Sequence, residues 1–295
     1  MQILKKGLSI LLVLAFVVLC FAGCSGSEKA DEINDKTMLI AYTQENSPFL
    51  YTNDKGELDG FDVKIFETIF KNIKNDYKTY KFVQVEEGYR IGEDTAYTDD
   101  DGNEYIAYVM IGGIQKNSGS INRDFTFSEN VIDNRIITVT NNDSDIKTYA
   151  DLSGAKVGII TETAKTALDK NAAVRNSLGS VEEYTDAEVA LRDLYEKKID
   201  ALIGDEFTLR TTKVDVGSGL YIMVSADSEQ FTELEGELDT ISYAYAFKKY
   251  DWWADSINEA IYELKSLDYN DKDELTPIVE EYFGYNASNF NYNPV

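Results

Sequence analysis

Apolar residues along this chain fall into short runs divided by polar, glycine-bearing stretches, and the period of each run predicts what it builds. Met38 to Tyr42 reads as a first strand, and Asn53-Asp54-Lys55-Gly56 as a turn with the glycine where positive φ is needed. Phe61, Ile65, Phe66, Ile69, Phe70 and Ile73 then recur at helical spacing, with Asp62 as the candidate N-cap. Phe82 to Val85 predicts a second strand and Tyr105 to Ile111 a third, which runs into Gly112-Gly113. Ile136 to Val139 is a strand with no turn before it, as a crossing between two lobes would have. A second α/β unit comes next: strand Lys156 to Ile160, a helix opening at Thr161-Glu162-Thr163-Ala164, and strand Val181 to Tyr184. Thr185 with Glu188 forms a candidate capping box for a helix through Lys197. The alternation from Ile241 to Phe247 predicts a strand that returns the chain to the first lobe. Helices from Trp252 to Leu267 and Glu274 to Phe283 close the pattern, with Trp252 and Trp253 read as one core and one surface residue.

The run Ile199-Asp200-Ala201-Leu202-Ile203-Gly204-Asp205-Glu206 stands out, because a buried strand there ends on an acid. In open α/β sheets ligands sit in the crevice beyond the carboxyl ends of strands, so Asp205 is a candidate ligand contact. It is equally a candidate cap for the next helix.

The N-terminus changes the picture. Lys5 and Lys6, an apolar run from Leu8 to Phe21, and Ala22-Gly23 before Cys24 have the layout of a secretory signal, residues 1–23. Ala22-Gly23-Cys24 resembles a bacterial lipobox, which predicts a lipidated Cys24 and a chain anchored on the outer face of the cell membrane. Residues 24–36 then form a polar tether with a reach on the order of 20 Å. With Cys24 acylated and Cys20 removed, neither of the two cysteines is left for a disulfide, a metal or a nucleophile. The remaining length, roughly 270 residues, exceeds what one hydrophobic core usually serves, so two lobes are expected.

A net charge of -25 argues against nucleic acid and against a basic membrane-binding patch. The absence of histidine removes histidine-based triads, zinc sites and general bases, and no catalytic residue, metal site or cofactor is expected. The acidic stretch Glu86 to Glu104 ends in Asp99-Asp100-Asp101-Gly102-Asn103, but a calcium loop built on Gly102 would put Tyr97 and Tyr108 at its first and last positions. A solvated hairpin tip is the expectation there.

Several strings in order resemble the family 3 extracellular solute-binding proteins, the receptors of polar amino-acid ABC importers. They are Ser47-Pro48-Phe49, Gly60-Phe61-Asp62-Val63, Phe127-Ser128, Leu152-Ser153-Gly154-Ala155-Lys156-Val157-Gly158, Ile199-Asp200-Ala201 with Asp205, and Tyr282-Phe283-Gly284. The resemblance covers nearly all of the chain after the tether. It implies a type II periplasmic-binding-protein-like α/β fold of two lobes, each a mainly parallel sheet flanked by helices, joined by two hinge crossings. Lobe 1 would be 37–137 plus 243–295, and lobe 2 would be 138–242.

The resemblance also implies a site. Asp205 would take the ligand's ammonium, and Thr163, with Thr161 beside it at the helix start, would help hold its carboxylate. Thr163 reads equally well as an ordinary N-cap. Gly113, Gln115 and Asn117 would supply contacts from the segment after the third strand, and Asn46 and Phe49 from the loop after the first. The family's carboxylate-clamping arginine has no counterpart here, since Ser120 or Ile121 stands at its position. Arg123 is the nearby candidate, either as a substitute clamp or as a solvated surface residue. Asn46 stands where the family commonly stacks an aromatic, and Glu86 to Glu104 replaces what is usually a helix.

The expected function is a lipid-anchored extracytoplasmic receptor that captures a small polar ligand, an amino acid or similar, and delivers it to ABC permease subunits as a monomer. Two alternatives stand beside it: a dehydratase-like enzyme on the same fold, and a two-lobe receptor for a protein partner with a vestigial ligand site.

Overall fold

The structure is a computed structural model that describes residues 33, 36–73, 77–116, 125–224, 228–249 and 253–284. Cys24, the tether up to Thr37 apart from Ile33 and Lys36, Asn117, Arg123, Trp252 and the side chain of Trp253 lie outside the described residues.

Strand β1 (Thr37–Tyr42) leads to a hairpin of β2 (Tyr51–Thr52) and β3 (Leu58–Asp59), helix α1 (Phe61–Phe70) and strand β4 (Thr79–Gln84). A second hairpin, β5 (Tyr97–Thr98) and β6 (Glu104–Tyr105), precedes β7 (Val109–Met110) and β8 (Phe125–Phe127). The ten-residue β9 (Ile132–Asn141) carries the chain into the next unit. That unit holds β10 (Lys156–Ile160), α2 (Glu162–Lys170), α3 (Ala172–Ser177), β11 (Ser180–Tyr184), α4 (Ala187–Tyr195), β12 (Ala201–Asp205) and α5 (Glu206–Thr211). Strands β13 (Lys213–Gly217), β14 (Leu220–Met223), β15 (Phe231–Glu233), β16 (Asp239–Tyr243) and β17 (Ala246–Lys248) come after it, then α6 (Trp253–Lys265) and α7 (Leu275–Phe283).

These elements form two main sheets. One has the order β4-β1-β7-β17-β8, parallel from β4 to β7 and antiparallel where β17 returns. The other has the order β11-β10-β12-β9-β15, with β16 also on β9; its β11, β10 and β12 are parallel and the rest antiparallel. The two-lobe α/β fold expected from the sequence is therefore present. The crossings β9 and β16 pair with each other, from Ile132 opposite Tyr243 to Ile136 opposite Asp239, so the lobes are joined by one antiparallel ribbon.

Each sheet is covered on both faces, as the near-continuous apolar runs of β1, β10 and β12 require. On the first sheet, α1 buries Phe61, Ile65, Phe66 and Ile69 among residues of α6 and α7. The opposite face carries Leu39, Ala41 and Val83 under Tyr89, Ile91 and Ala107. The acidic stretch thus does a helix's work: the Tyr89 hydroxyl accepts from the Ala107 amide at 3.1 Å and pins the segment, while Asp99 to Asn103 turn outward as the expected hairpin tip. On the second sheet, α2 covers one face and α4 with α5 the other.

Four local expectations are corrected. Asp62 does not cap α1; the cap position is Gly60 at φ 129, where a Cβ would stand 2.5 Å from the Phe49 carbonyl oxygen. The helix start is docked so closely on the Phe49 backbone that only glycine fits. Asp186, not Thr185, caps α4, accepting from the amides of Glu188 and Val189. The third strand pairs only over Val109–Met110, because Tyr105 is taken up by the hairpin. The strand expected from Ile241 to Phe247 is broken at Ala244-Tyr245, where the chain leaves one sheet for the other.

Candidate functional site

The carboxyl end of β12 is held by its own helix. Asp205 is 6% exposed, and its Oδ1 accepts from the Thr208 amide at 2.9 Å and from Asn134 Nδ2 at 3.2 Å. Both readings of its sequence position therefore meet in one residue: Oδ1 caps α5, while Oδ2 has no hydrogen-bond partner among the described residues. Asn134, on the crossing β9, also accepts from the Phe207 amide at 3.2 Å, so its side chain ties the start of α5 to the ribbon.

Beneath that cap lies a buried ring of ion pairs. Glu206, fully buried, accepts from Arg135 at 2.7 and 2.9 Å and from Arg210 at 2.6 Å. Both arginines also reach Glu233 on β15, at 2.9 and 2.6 Å. Burial opposes the Arg135 charge, but Glu206 and Glu233 outweigh it and hold its pKa above the ordinary value. Two cations and two anions make the ring neutral, so its charges are compensated locally and α5 is locked to β9 and β15.

Thr161 caps α2, accepting from the Ala164 amide at 3.3 Å, and its hydroxyl stands 2.9 Å from that of Thr163. Its φ of 75 is an uncommon conformation for a β-branched residue, and such positions cluster at ligand sites. The first turn of α2 thus presents two adjoining hydroxyls and the free amides of a helix N-terminus, which suit an anionic group.

On the other lobe, Gly112 and Gly113 both adopt positive φ, 116 and 67. Their amides donate to Oδ2 of Asp62, at 2.9 and 2.7 Å. The Gly113 amide is therefore already spent on the protein itself. A Cβ at Gly113 would come within 2.6 Å of Asn46 Nδ2 and 2.7 Å of the Phe49 ring. Asn46, which is exposed, donates through Nδ2 to the Gly112 carbonyl at 3.2 Å. Gln115 sits in a bridge with Tyr243 of the return crossing, flanked by the Lys116 amide on the Ser242 carbonyl and the Ala244 amide on the Ile114 carbonyl. Phe49 is buried against Phe61, Phe207, Tyr243 and Phe283, so its ring packs the joint between the lobes.

Asn46, Gly113 and Gln115 thus gather on one side of the ribbon's entry and Asp205 on the other, with Tyr243 between. Burial raises the Tyr243 phenol's pKa, with side-chain hydrogen bonding to Asn134 and Gln115 and the nearby Asp205 and Asp62 charges as further influences. Tyr243, Asn134 and Asp62 as a backbone acceptor escaped the sequence reading. Only Asp62 left a signal, as the acid in Gly60-Phe61-Asp62-Val63, and there it pointed to the wrong partner. Asn117 and Arg123 lie outside the described residues.

No protein-family model matches the chain. Among curated proteins it is 24% identical, over 67% of its length and 70% of the relative's, to the probable amino-acid-binding protein YxeM of Bacillus subtilis. Among solved structures it resembles the L-cystine solute receptor of Neisseria gonorrhoeae in its unliganded open conformation, with a TM-score of 0.61 at 19% identity, covering 86% of this chain and 95% of that one. It also resembles the second substrate-binding domain of Lactococcus lactis GlnP in its open conformation, with a TM-score of 0.55 at 21% identity, covering 87% and 99%.

Proposed function

From a chain with the two-lobe fold of amino-acid ABC transporter substrate-binding proteins, we propose that this protein is the extracytoplasmic receptor of such an importer. It binds an amino acid or a close analogue between lobe 1, residues 37–137 plus 243–295, and lobe 2, residues 138–242. The observation that carries this reading is Asp205: a carboxylate at a strand's carboxyl end with one oxygen anchored and the other unpartnered among the described residues. Such a group is preorganised to accept an ammonium, and anchoring it beforehand lowers the ordering cost of binding. Thr161 and Thr163 at the start of α2 complement it by offering donors to a carboxylate. Arg123 supplies the cation on the carboxylate. Cys24 carries the lipid that holds the receptor at the membrane, and permease subunits receive the ligand from the closed form.

The test is a melting screen of the full chain in mild detergent, followed by intrinsic fluorescence, against amino acids, short peptides, polyamines and sugars. A ligand at a hundred times its dissociation constant adds about 2.7 kcal/mol, which raises the midpoint of a chain this size by several degrees. An amino acid is expected to produce that rise, and Asp205→Ala and Arg123→Ala are expected to remove it. Silence from every amino acid would sink the reading. Retention of the lipid label in Cys24→Ser would sink the anchor.

A further inference from the structure

Asp62 sits at the second position of α1 and is 3% exposed. A carboxylate in the first turn of a helix ordinarily serves its own helix amides. Here Oδ2 instead reaches 50 and 51 residues along the chain and takes two consecutive amides, those of Gly112 and Gly113. Oδ1 has no hydrogen-bond partner among the described residues. Both glycines have positive φ, so successive amides turn toward one point and form a small anion nest, which the protein fills with its own carboxylate.

The nest opens directly into the joint between the lobes. Ile114 to Lys116, the next residues along the chain, pair with Ser242 to Ala244 and carry Gln115 to Tyr243. Without an acceptor, two glycines in a row are the most easily rearranged backbone in this region, and the direction of Gln115 would change with them. Asp62 is docked too: its own amide donates to the Phe49 carbonyl at 2.9 Å, so the carboxylate and the Asn46 to Phe49 loop move as one piece.

We propose that Asp62 is a positioning residue for the binding site: its carboxylate clamps Gly112-Gly113 so that the Gly113 to Gln115 segment faces the cleft, and binding weakens when that carboxylate is protonated. This rests on the proposed receptor function. A charged acceptor grips two amides more strongly than a neutral one, so the clamp loosens on protonation. Burial pushes the Asp62 carboxyl up to about 6, against the opposing pull of the Gly113 and Gly112 amides. The titratable groups that face it are the phenols of Tyr243 and Tyr245, both raised by burial first and then by the charge of their neighbours, Asp62 among them. The Tyr245 hydroxyl is fully buried with no hydrogen-bond partner among the described residues. Neither the Asn46 to Phe49 loop nor the Gly112 to Gln115 segment brings a charged side chain to bear on Asp62. The chain has no histidine, which leaves few other groups to titrate near that pH.

The experiment uses the full chain in mild detergent, labelled with 15N at its 19 glycines, as wild type, Asp62→Asn and Asp62→Ala. The probe is an equimolar mixture of the twenty common amino acids. In ligand-free wild type, the amide protons of Gly112 and Gly113 are expected to move upfield together as pH falls from 7.5 to 5, and to stay still in Asp62→Asn. Affinity for the mixture is expected to drop about tenfold over the same range in wild type, the effect of a one-unit pKa change on binding. Asp62→Asn, whose amide oxygen still accepts both bonds, is expected to bind with a flat pH profile. Asp62→Ala is expected to bind about tenfold or more weakly at pH 7.5, with its melting midpoint confirming that it folds. Stationary glycine amides in wild type, or the same pH profile in wild type and Asp62→Asn, would overturn the positioning role alone. Failure of every variant to bind the mixture at either pH would overturn the receptor reading and the positioning role together.

Discussion

The rings of Phe207 and Phe283 stand with centroids 4.2 Å apart, although one belongs to the helix after β12 and the other to the helix that packs with α1 on the other sheet. Phe49 and Tyr243 complete the cluster, at 6.1 and 6.0 Å from Phe207. Among the described residues, Phe207 of α5 is thus built into the core that packs on the first sheet, beside the ribbon. The units around the two sheets are therefore linked by a packed aromatic joint as well as by the two crossings.

Phe207→Ala is accordingly expected to cost about 3–5 kcal/mol in urea unfolding, the range for removing a buried phenylalanine. Small-angle scattering of the same variant is expected to show a larger radius of gyration, because the joint no longer constrains the lobes. An unchanged radius with the full stability loss would place the ring in the core only.

Asp205 combines a cap and a charge, and the two separate by substitution. Asp205→Ser keeps a good N-cap and is expected to hold stability within about 0.5 kcal/mol while losing the proposed amino-acid binding. Asp205→Ala loses both, at about 1 kcal/mol in stability. Paired calorimetric titrations and denaturation curves on the two variants check this; equal binding loss with unequal stability is the expected pattern.

Glu206 faces both arginines of the buried ring. Glu206→Gln removes one of the two carboxylates that Arg135 and Arg210 share, and breaking a buried ion pair from one side costs about 3–5 kcal/mol. Chemical denaturation measures it directly. A loss below about 1 kcal/mol would mean that water reaches the ring and screens it.

The stability linkage of Asp62 runs opposite to that of a salt-bridged carboxylate. Its carboxyl is raised from 3.8 to about 6 in the folded protein, so the folded state binds the proton more tightly than the unfolded one. The contribution from Asp62 is therefore full below about pH 4 and is lost as pH rises through about 6. Its size is about 3 kcal/mol, to order of magnitude. Compared at each pH with Asp62→Asn, which has no such group, wild type is expected to gain relative stability on acidification from pH 7.5 to 4. At neutral pH the protein thus carries a buried charge that destabilises it while serving the proposed clamp, a trade common at binding sites.

Much of the fold was legible because its signals are local. The alternation and helical spacing that mark β1, α1, β10 and α4 depend only on neighbours a few residues apart. Boundaries failed where a tertiary demand intervened. Gly60 took the cap position from Asp62 because the Phe49 backbone lies against it, and the strand through Ala244-Tyr245 broke because it had to change sheets.

The site divides along the same line. Asp205 and Thr161 were visible because each ends one element and starts another, a position defined by sequence alone. Asn134 was not visible, because its partner is 71 residues away and β9 carries six polar residues among its ten, with nothing in their spacing to mark this one as the hinge's contact. Nor could the sequence show that the Gly113 amide, expected for a ligand, is already given to Asp62. By itself the sequence determined the longer elements and their order, since these come from backbone preference and the burial of periodic apolar faces, and chain length with the family resemblance gave the two lobes; short elements such as α3 and β13 to β15 left no such signal. Only the tertiary structure decided which polar groups meet across the ribbon, because a hydrogen bond requires partners within about 3 Å and that proximity comes from how the lobes dock, not from spacing along the chain.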